Sequence, residues 1–270
     1  MPERNYPDHR VTVAHFAEMS RRRLITAGSA LAAAAVVGTA SPVAGAVQRS
    51  PRTQAAVTGR TDIALVRQQP GWNTIPVAAA VGNGAWQVTN RPAPNFIADW
   101  APTPGVRVIT GDFNGNGRTD IALVRQSPGW NTIPIAFSQP DGSWKITNGA
   151  APNFIADWAH QPGVRVITGD FNGNGRTDIA LVRQQAGWNT IPIAFAQGNG
   201  TWQVTNRPAP NFIADWAPTP GVQVVTGDFN GNGRTDIALV RQQAGWNTIP
   251  IAFAQGNGTW QVTNRPAPNF

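Results

Sequence analysis

Gly111-Asp112-Phe113-Asn114-Gly115-Asn116-Gly117-Arg118-Thr119-Asp120 returns without a change at 169–178 and again at 227–236. Asp112, Asp170 and Asp228 stand 58 residues apart, a period that marks an array of like structural units. One period before the first full copy, Thr53 to Thr58 replace the loop while Gly59-Arg60-Thr61-Asp62 is kept. The chain therefore holds four units, about 53–110, 111–168, 169–226 and 227–270.

Outward from the motif, each unit reads as four short strands separated by Gly, Pro, Asn and Asp turn signals. In the third unit they are Val164 to Thr168, Asp178 to Arg183, Thr190 to Ala196 and Thr201 to Thr205. Ile179-Ala180-Leu181-Val182 is apolar on both faces, as a strand packed between two neighbours must be. Trp202 and Val204 alternate with Gln203 and Thr205, which sets a packing face against a polar one. The expected fold is all-β, a β-propeller of four-stranded blades built from 58-residue repeats; a solenoid fits the several tight turns per unit less well. An open blade exposes unpaired strand edges. Pairing of two chains, or membership of a longer array, accounts for that better than a rare four-bladed ring.

Composition narrows the function. The chain is rich in Gly and Pro, has 11 tryptophans and only 13% charged residues, and carries Lys145 as its one lysine. It has no cysteine, which excludes disulfides and thiolate metal sites. The net charge is +7. Arginines that recur singly at repeat positions, such as Arg118 and Arg125, do not form a phosphate-binding stripe, so nucleic acid is not an expected partner. Beyond residue 46 there is one histidine, His160, and no glutamate. No unit diverges to host a catalytic constellation, and the chain is not expected to be an enzyme.

Residues 1–46 read as an export signal. Arg21-Arg22-Arg23-Leu24-Ile25 leads into an Ala/Val-rich run to Val37 and then Ala44-Gly45-Ala46, the pattern of a twin-arginine leader cleaved near Ala46. The apolar run is too short to span a bilayer, so no membrane span is expected after its removal. Residues 47–270 are then a secreted repeat domain.

The repeated loop places side-chain oxygens at positions 1, 3, 5 and 9, glycine at 6 and a backbone carbonyl at 7, the spacing that wraps a calcium ion. The expected ligands are Asp112, Asn114, Asn116, the Arg118 carbonyl and Asp120; then Asp170, Asn172, Asn174, Arg176 and Asp178; then Asp228, Asn230, Asn232, Arg234 and Asp236. Two carboxylates per loop imply modest Ca2+ affinity. The same residues also build Asx turns without metal.

Phe113 to Ala122 resembles the FG-GAP or VCBS repeat of integrin-type propellers and secreted bacterial proteins. Gly129-Trp130-Asn131-Thr132-Ile133-Pro134-Ile135-Ala136-Phe137, followed by Ile146-Thr147-Asn148, is similar to the seven-bladed fungal fruiting-body lectins. That resemblance implies binding of N-acetylglucosamine-terminated glycans or glycoproteins. Two features depart from it: four units stand where seven are expected, and position 5 of the loop is Asn where Asp is common. An integrin-like adhesion or structural module is the alternative reading.

The tryptophans fall into three equivalent sets. Trp86, Trp144, Trp202 and Trp260 open the fourth strand and are expected to pack. Trp72, Trp130, Trp188 and Trp246 follow a glycine after the second strand, and Trp100, Trp158 and Trp216 lie between units. An indole face stacks on a pyranose while neighbouring amides and carboxylates take its hydroxyls. Trp130 with Asn131, Trp188 with Asn189, Trp246 with Asn247, and Trp158 and Trp216 beside their Ala-Asp steps are the candidate sugar contacts.

Overall fold

The computed structural model describes residues 11–17 and 61–268. Sixteen strands form four separate antiparallel sheets of four, each one blade. Blade 1 comprises β1 (Val11–Ala17), β2 (Thr61–Arg67), β3 (Thr74–Gly82) and β4 (Ala85–Pro92). Blade 2 comprises β5 (Val106–Gly111), β6 (Asp120–Arg125), β7 (Thr132–Ser138) and β8 (Trp144–Ala150). Blade 3 is β9 (Val164–Gly169), β10 (Asp178–Arg183), β11 (Thr190–Ala196) and β12 (Trp202–Pro208). Blade 4 is β13 (Val222–Gly227), β14 (Asp236–Arg241), β15 (Thr248–Ala254) and β16 (Trp260–Pro266). In every blade the strands are neighbours in chain order, the meander expected from the turn signals. First strands touch one another from blade to blade, β1 to β5, β5 to β9 and β9 to β13, so they line the inner side of the arc.

Blade 1 takes its inner strand from an unexpected place. Val11 pairs with Arg67 and Val13 with Leu65, the same register as Val106 with Arg125 and Val108 with Leu123 in blade 2. Part of the stretch read as a leader thus occupies the first-strand position of a blade. The remainder of that leader and the degenerate loop at Thr53 to Thr58 lie outside the described residues.

Short helical connections, rather than open loops, join the four-stranded blades. Asn95–Trp100, Asn153–Ala159 and Asn211–Trp216 are short π-type helical segments. In the first and third of them, the Ala101 and Ala217 N–H groups donate to the carbonyls of Phe96 and Phe212, five residues back. Proline precedes each segment, where its missing N–H costs nothing. Phe96 and Ile97, Phe154 and Ile155, and Phe212 and Ile213 are buried. These wide turns serve as plugs that close the core at one end of each blade.

The cores lie at the seams between blades. In β10, Ile179 and Leu181 join the cluster shared with blade 2, while Ala180 and Val182 join the cluster shared with blade 4. The side-chain period of two therefore sends alternate residues of one strand into two different seams. Phe113 of blade 2 meets Trp202 of blade 3 edge to face, with ring centroids 5.9 Å apart and planes at 71°. Phe171 and Trp260 repeat the contact one blade on, at 5.9 Å and 70°. This geometry favours the positive ring edge against the negative face.

Hydrogen bonds staple the same seams. Asp112 N–H donates to Thr177 Oγ1 at 3.0 Å, and Thr177 N–H returns a bond to the Asp112 carbonyl at 2.7 Å. Asp170 and Thr235 repeat the exchange. Glycine precedes each aspartate for a reason of space. A Cβ on Gly111 would collide with the Thr177 side chain, and one on Gly169 with Thr235.

Candidate functional site

Strand direction sorts the candidate residues into two groups. The first strand of a blade ends at the Asp-x-Asn-x-Asn-Gly loop, and the second strand returns to the opposite end, where the Gly-Trp-Asn turn lies. The third strand returns to the loop end and the fourth leads back to the helical connection. All expected metal ligands therefore stand at one rim. All candidate tryptophans, from both the turn and the connection, stand at the other. Six-residue strands such as β6 separate the two rims by about 20 Å.

At the loop rim the oxygens face inward. Asp112 Oδ1 accepts from the N–H groups of Gly115 at 2.6 Å and Asn116 at 3.0 Å, and Oδ2 accepts from Gly117 at 2.7 Å. Asn114 Oδ1 accepts from Asn116 N–H and Asn116 Oδ1 from Arg118 N–H. Asp170, Asn172 and Asn174 repeat every one of these bonds, as do Asp228, Asn230 and Asn232. Gly115 and Gly117 adopt positive φ, which lets the chain turn tightly enough to aim its N–H groups at one carboxylate. Arg118 Nε reaches Ser138 O at 3.0 Å, while Arg176 and Arg234 reach Ala196 and Ala254 carbonyls at 2.7 Å, so the arginine side chains bind each loop to its own third strand.

Asp120, Asp178 and Asp236 behave differently from the other expected ligands. Each is fully buried. Asp120 Oδ2 accepts from Phe113 N–H at 3.0 Å and Oδ1 from Ser138 N–H at 2.9 Å. Asp178 ties Phe171 and Ala196 in the same way, and Asp236 ties Phe229 and Ala254. Burial pushes the Asp120 carboxyl up to about 7 and Asp178 up to about 8, and raises Asp236, against the lowering pull of the backbone N–H bonds. These carboxyls close the loop and pin the start of the second strand to the end of the third. Even blade 1, which lacks the loop sequence, keeps half of this link, with Ala80 N–H donating to Asp62 Oδ1 at 2.9 Å.

The donor set suits a hard cation in kind. It is all oxygen, and Asn114, Asn116 and both Asp120 oxygens accept only one of these N–H bonds, which leaves a lone pair on each. Among the described residues, no three acidic or histidine side chains gather as a metal cluster. The loop is thus a self-satisfied Asx nest with spare acceptor capacity.

At the other rim, arginine and tryptophan come together in repeated pairs. The guanidinium carbon of Arg67 lies 5.7 Å from the Trp72 ring centroid, Arg125 lies 5.9 Å from Trp130, and Arg183 lies 5.8 Å from Trp188. Arg125 Nε also donates to Pro104 O, Arg183 to Pro162 O and Arg241 to Pro220 O. Trp130, Trp188 and Trp246 are half-buried, with Asn131, Asn189 and Asn247 exposed beside them. The carbonyls of those asparagines hold Ala151, Ala209 and Ala267 N–H groups at 2.7–2.8 Å, so each turn is clamped to the start of a connection. Trp158 and Trp216 are also half-buried against seam cores. Asn153 Nδ2 donates to Asp157 Oδ2 at 2.8 Å on the exposed side of its helical segment. Gln126 Nε2 crosses to Val164 O at 3.0 Å and Gln184 Nε2 to Val222 O at 2.8 Å, linking the turn of one blade to the inner strand of the next. The sequence offers Arg125, Arg183 and Arg241, at the end of the second strand, as sugar contacts or solvated rim groups, and the structure sets Arg125 and Arg183 over indole rings. The role of the glutamines is not evident in the sequence, although they recur every 58 residues.

Comparison with known proteins agrees with the architecture. Residues 112–181 and 170–239 match the FG-GAP-like repeat model. No curated protein matches the chain in sequence. A solved structure of an Agrocybe aegerita lectin, described as showing specific recognition of non-reducing terminal N-acetylglucosamine, is similar in fold, with a TM-score of 0.57 and 22% identity. The alignment covers 76% of this chain and 49% of the lectin chain, so this chain spans about half the lectin's length. A chain of the Photorhabdus luminescens Tc holotoxin pore is also similar, with a TM-score of 0.51, 17% identity, and coverage of 77% of this chain and 9% of that one. Residues 112–239 are thus similar to FG-GAP-like repeats, and the fold is that of a propeller arc.

Proposed function

We propose that this arc of FG-GAP-like repeats is a secreted, non-catalytic lectin that binds glycans, with terminal N-acetylglucosamine as the preferred residue, at its tryptophan rim. The observation that carries the reading is the recurrence, on that one rim, of a half-buried tryptophan beside an exposed asparagine. An indole in that setting offers an apolar face, and the amide offers a donor and an acceptor for hydroxyl or acetamido groups. The fold similarity to an N-acetylglucosamine-binding lectin supports the choice of sugar. Identical weak sites on one scaffold gain avidity on a surface that displays many ligand copies.

Calcium belongs to the opposite rim in this reading. Asp112, Asn114, Asn116, the Arg118 carbonyl and Asp120 would hold it, with their counterparts in the next two loops, and the ion would supply positive charge that stiffens the nest. With about 20 Å between rims, calcium acts on sugar binding only through stability. Among the described residues no helix is long and apolar enough to cross a membrane.

One observation favours the second reading, a protein-adhesion or structural module. Arg67, Arg125 and Arg183 already lie over their indole rings, where a sugar would otherwise stack. A glycan array probed with the purified chain separates the two readings. Binding competed by free N-acetylglucosamine and lost in Trp188→Ala is expected. No glycan signal from the folded protein would overturn the lectin reading and leave the adhesion module.

A further inference from the structure

The two ends of the arc carry the two halves of a seam that is buried between the other described blades. Phe113 and Phe171 are 0% and 1% exposed beneath the following blade, whereas Phe229, at the same loop position in blade 4, is 43% exposed. Val225 beside it is 37% exposed, while its counterpart Ile109 is buried at 8%. At the other end Trp86 and Val88 of blade 1 are 48% and 68% exposed. Their counterparts Trp202 and Val204 pack into the cluster that holds Phe113, and Trp260 and Val262 into the cluster that holds Phe171.

The ends match in more than apolar character. Blade 4 keeps Gly227 and Asp228, the pair whose counterparts Gly111–Asp112 and Gly169–Asp170 receive the threonine of the next blade. Among the described residues no threonine fills that place at Gly227. A Cβ there would meet the ring of Phe229 itself, where Thr177 and Thr235 lie against the equivalent glycines. Blade 1, in turn, keeps Thr61 at the sequence position of Thr177 and Thr235. One end thus holds the glycine, aspartate and phenylalanine of the seam, and the other its tryptophan and valine, with a threonine at the matching sequence position.

We propose that the exposed face of blade 4 docks on the exposed face of blade 1 of a second copy of this chain, and the reverse, closing a ring of two chains. The occupant is a second copy because each end carries, residue for residue, the missing partner of the other. The contact is head-to-tail and closes when the arc's rotation permits, and eight blades lie within the range in which propellers close. This inference is independent of the glycan reading.

The test uses the full chain in sedimentation equilibrium, with Trp86→Glu and Phe229→Arg made singly. Both residues are exposed, so each substitution leaves the internal seams intact, and circular dichroism checks the fold. Wild type is expected at twice the chain mass. Each variant alone is expected as a monomer, its dissociation constant raised about a hundredfold by a charge in an apolar seam. Their equimolar mixture regains the dimer, because one seam is then native and the other pairs Glu with Arg. A monomeric wild type, a dimer that survives both substitutions, open-ended polymers, or a mixture that stays monomeric would overturn the proposal. A monomeric wild type would also assign the faces to further repeats.

Discussion

Phe171→Ala and Phe229→Ala remove the same side chain from the same loop position in near-identical sequence, and the structure expects very different costs. Phe171 is 1% exposed and meets Trp260 edge to face. Its truncation leaves a cavity in a seam and costs about 3–5 kcal/mol. Phe229 is 43% exposed, so only about half of its side-chain transfer energy is lost, about 1 kcal/mol. Both are best made in the Trp86→Glu background, in which the ends stay bare and the chains monomeric. At about 2–4 °C per kcal/mol for a domain of this size, thermal melts followed by tryptophan fluorescence should fall by about 10 °C for Phe171→Ala and about 3 °C for Phe229→Ala. Equal shifts would refute the reasoning, because they would mean that Phe171 is not wedged between blades.

The remaining predictions use the same repeats as internal controls. Gly169→Ala places a methyl against Thr235 and should destabilise by about 2 kcal/mol in urea titration, while Gly227→Ala, which meets only the exposed Phe229 ring, should cost less than half as much. Asp178→Asn keeps one acceptor but sets an amide donor against a buried N–H, and should cost about 1–3 kcal/mol by the same measurement. Asp170→Ala removes the acceptor of three loop N–H groups, and terbium luminescence should then report one fewer bound ion than wild type. Chelator should lower the melting temperature of wild type while leaving glycan affinity at saturating fold unchanged, as expected for rims a strand-length apart.

Much of the fold was legible because its signals are local and repeated. Asp178 to Arg183 and Thr190 to Ala196 were fixed by apolar runs between turn residues, and their observed bounds agree. Of the tryptophans that open the fourth strand and are expected to pack, Trp144, Trp202 and Trp260 do so, while Trp86, on the open face of blade 1, is 48% exposed. Other features were hidden for physical reasons. The segment Asn153–Ala159 is too short to show helical periodicity, and its π-type bonding is set by Phe154 and Ile155 sinking into the core. The first strand of blade 1 carries only Val11 and Val13 in common with β5, inside a stretch whose arginine and alanine content suggests export. Asp120 looked like a ninth-position ligand in the motif, but spacing alone does not reveal that Phe113 and Ser138 N–H groups hold its two oxygens. The separation of tryptophans from loops follows from strand direction and required the pairing to be known.

The uniformity of the seams also bears on how the chain reaches its fold. Phe113 finds Trp202 and Phe171 finds Trp260 through interchangeable chemistry, so nothing in the contacts themselves labels which blade is whose neighbour. During synthesis, proximity along the chain is the only guide to the right partner, and the units are best joined in the order in which they emerge. Refolding from denaturant removes that order. Blade 2 of one molecule then competes with blade 2 of another for the same blade 3, and exchanged assemblies should grow with protein concentration.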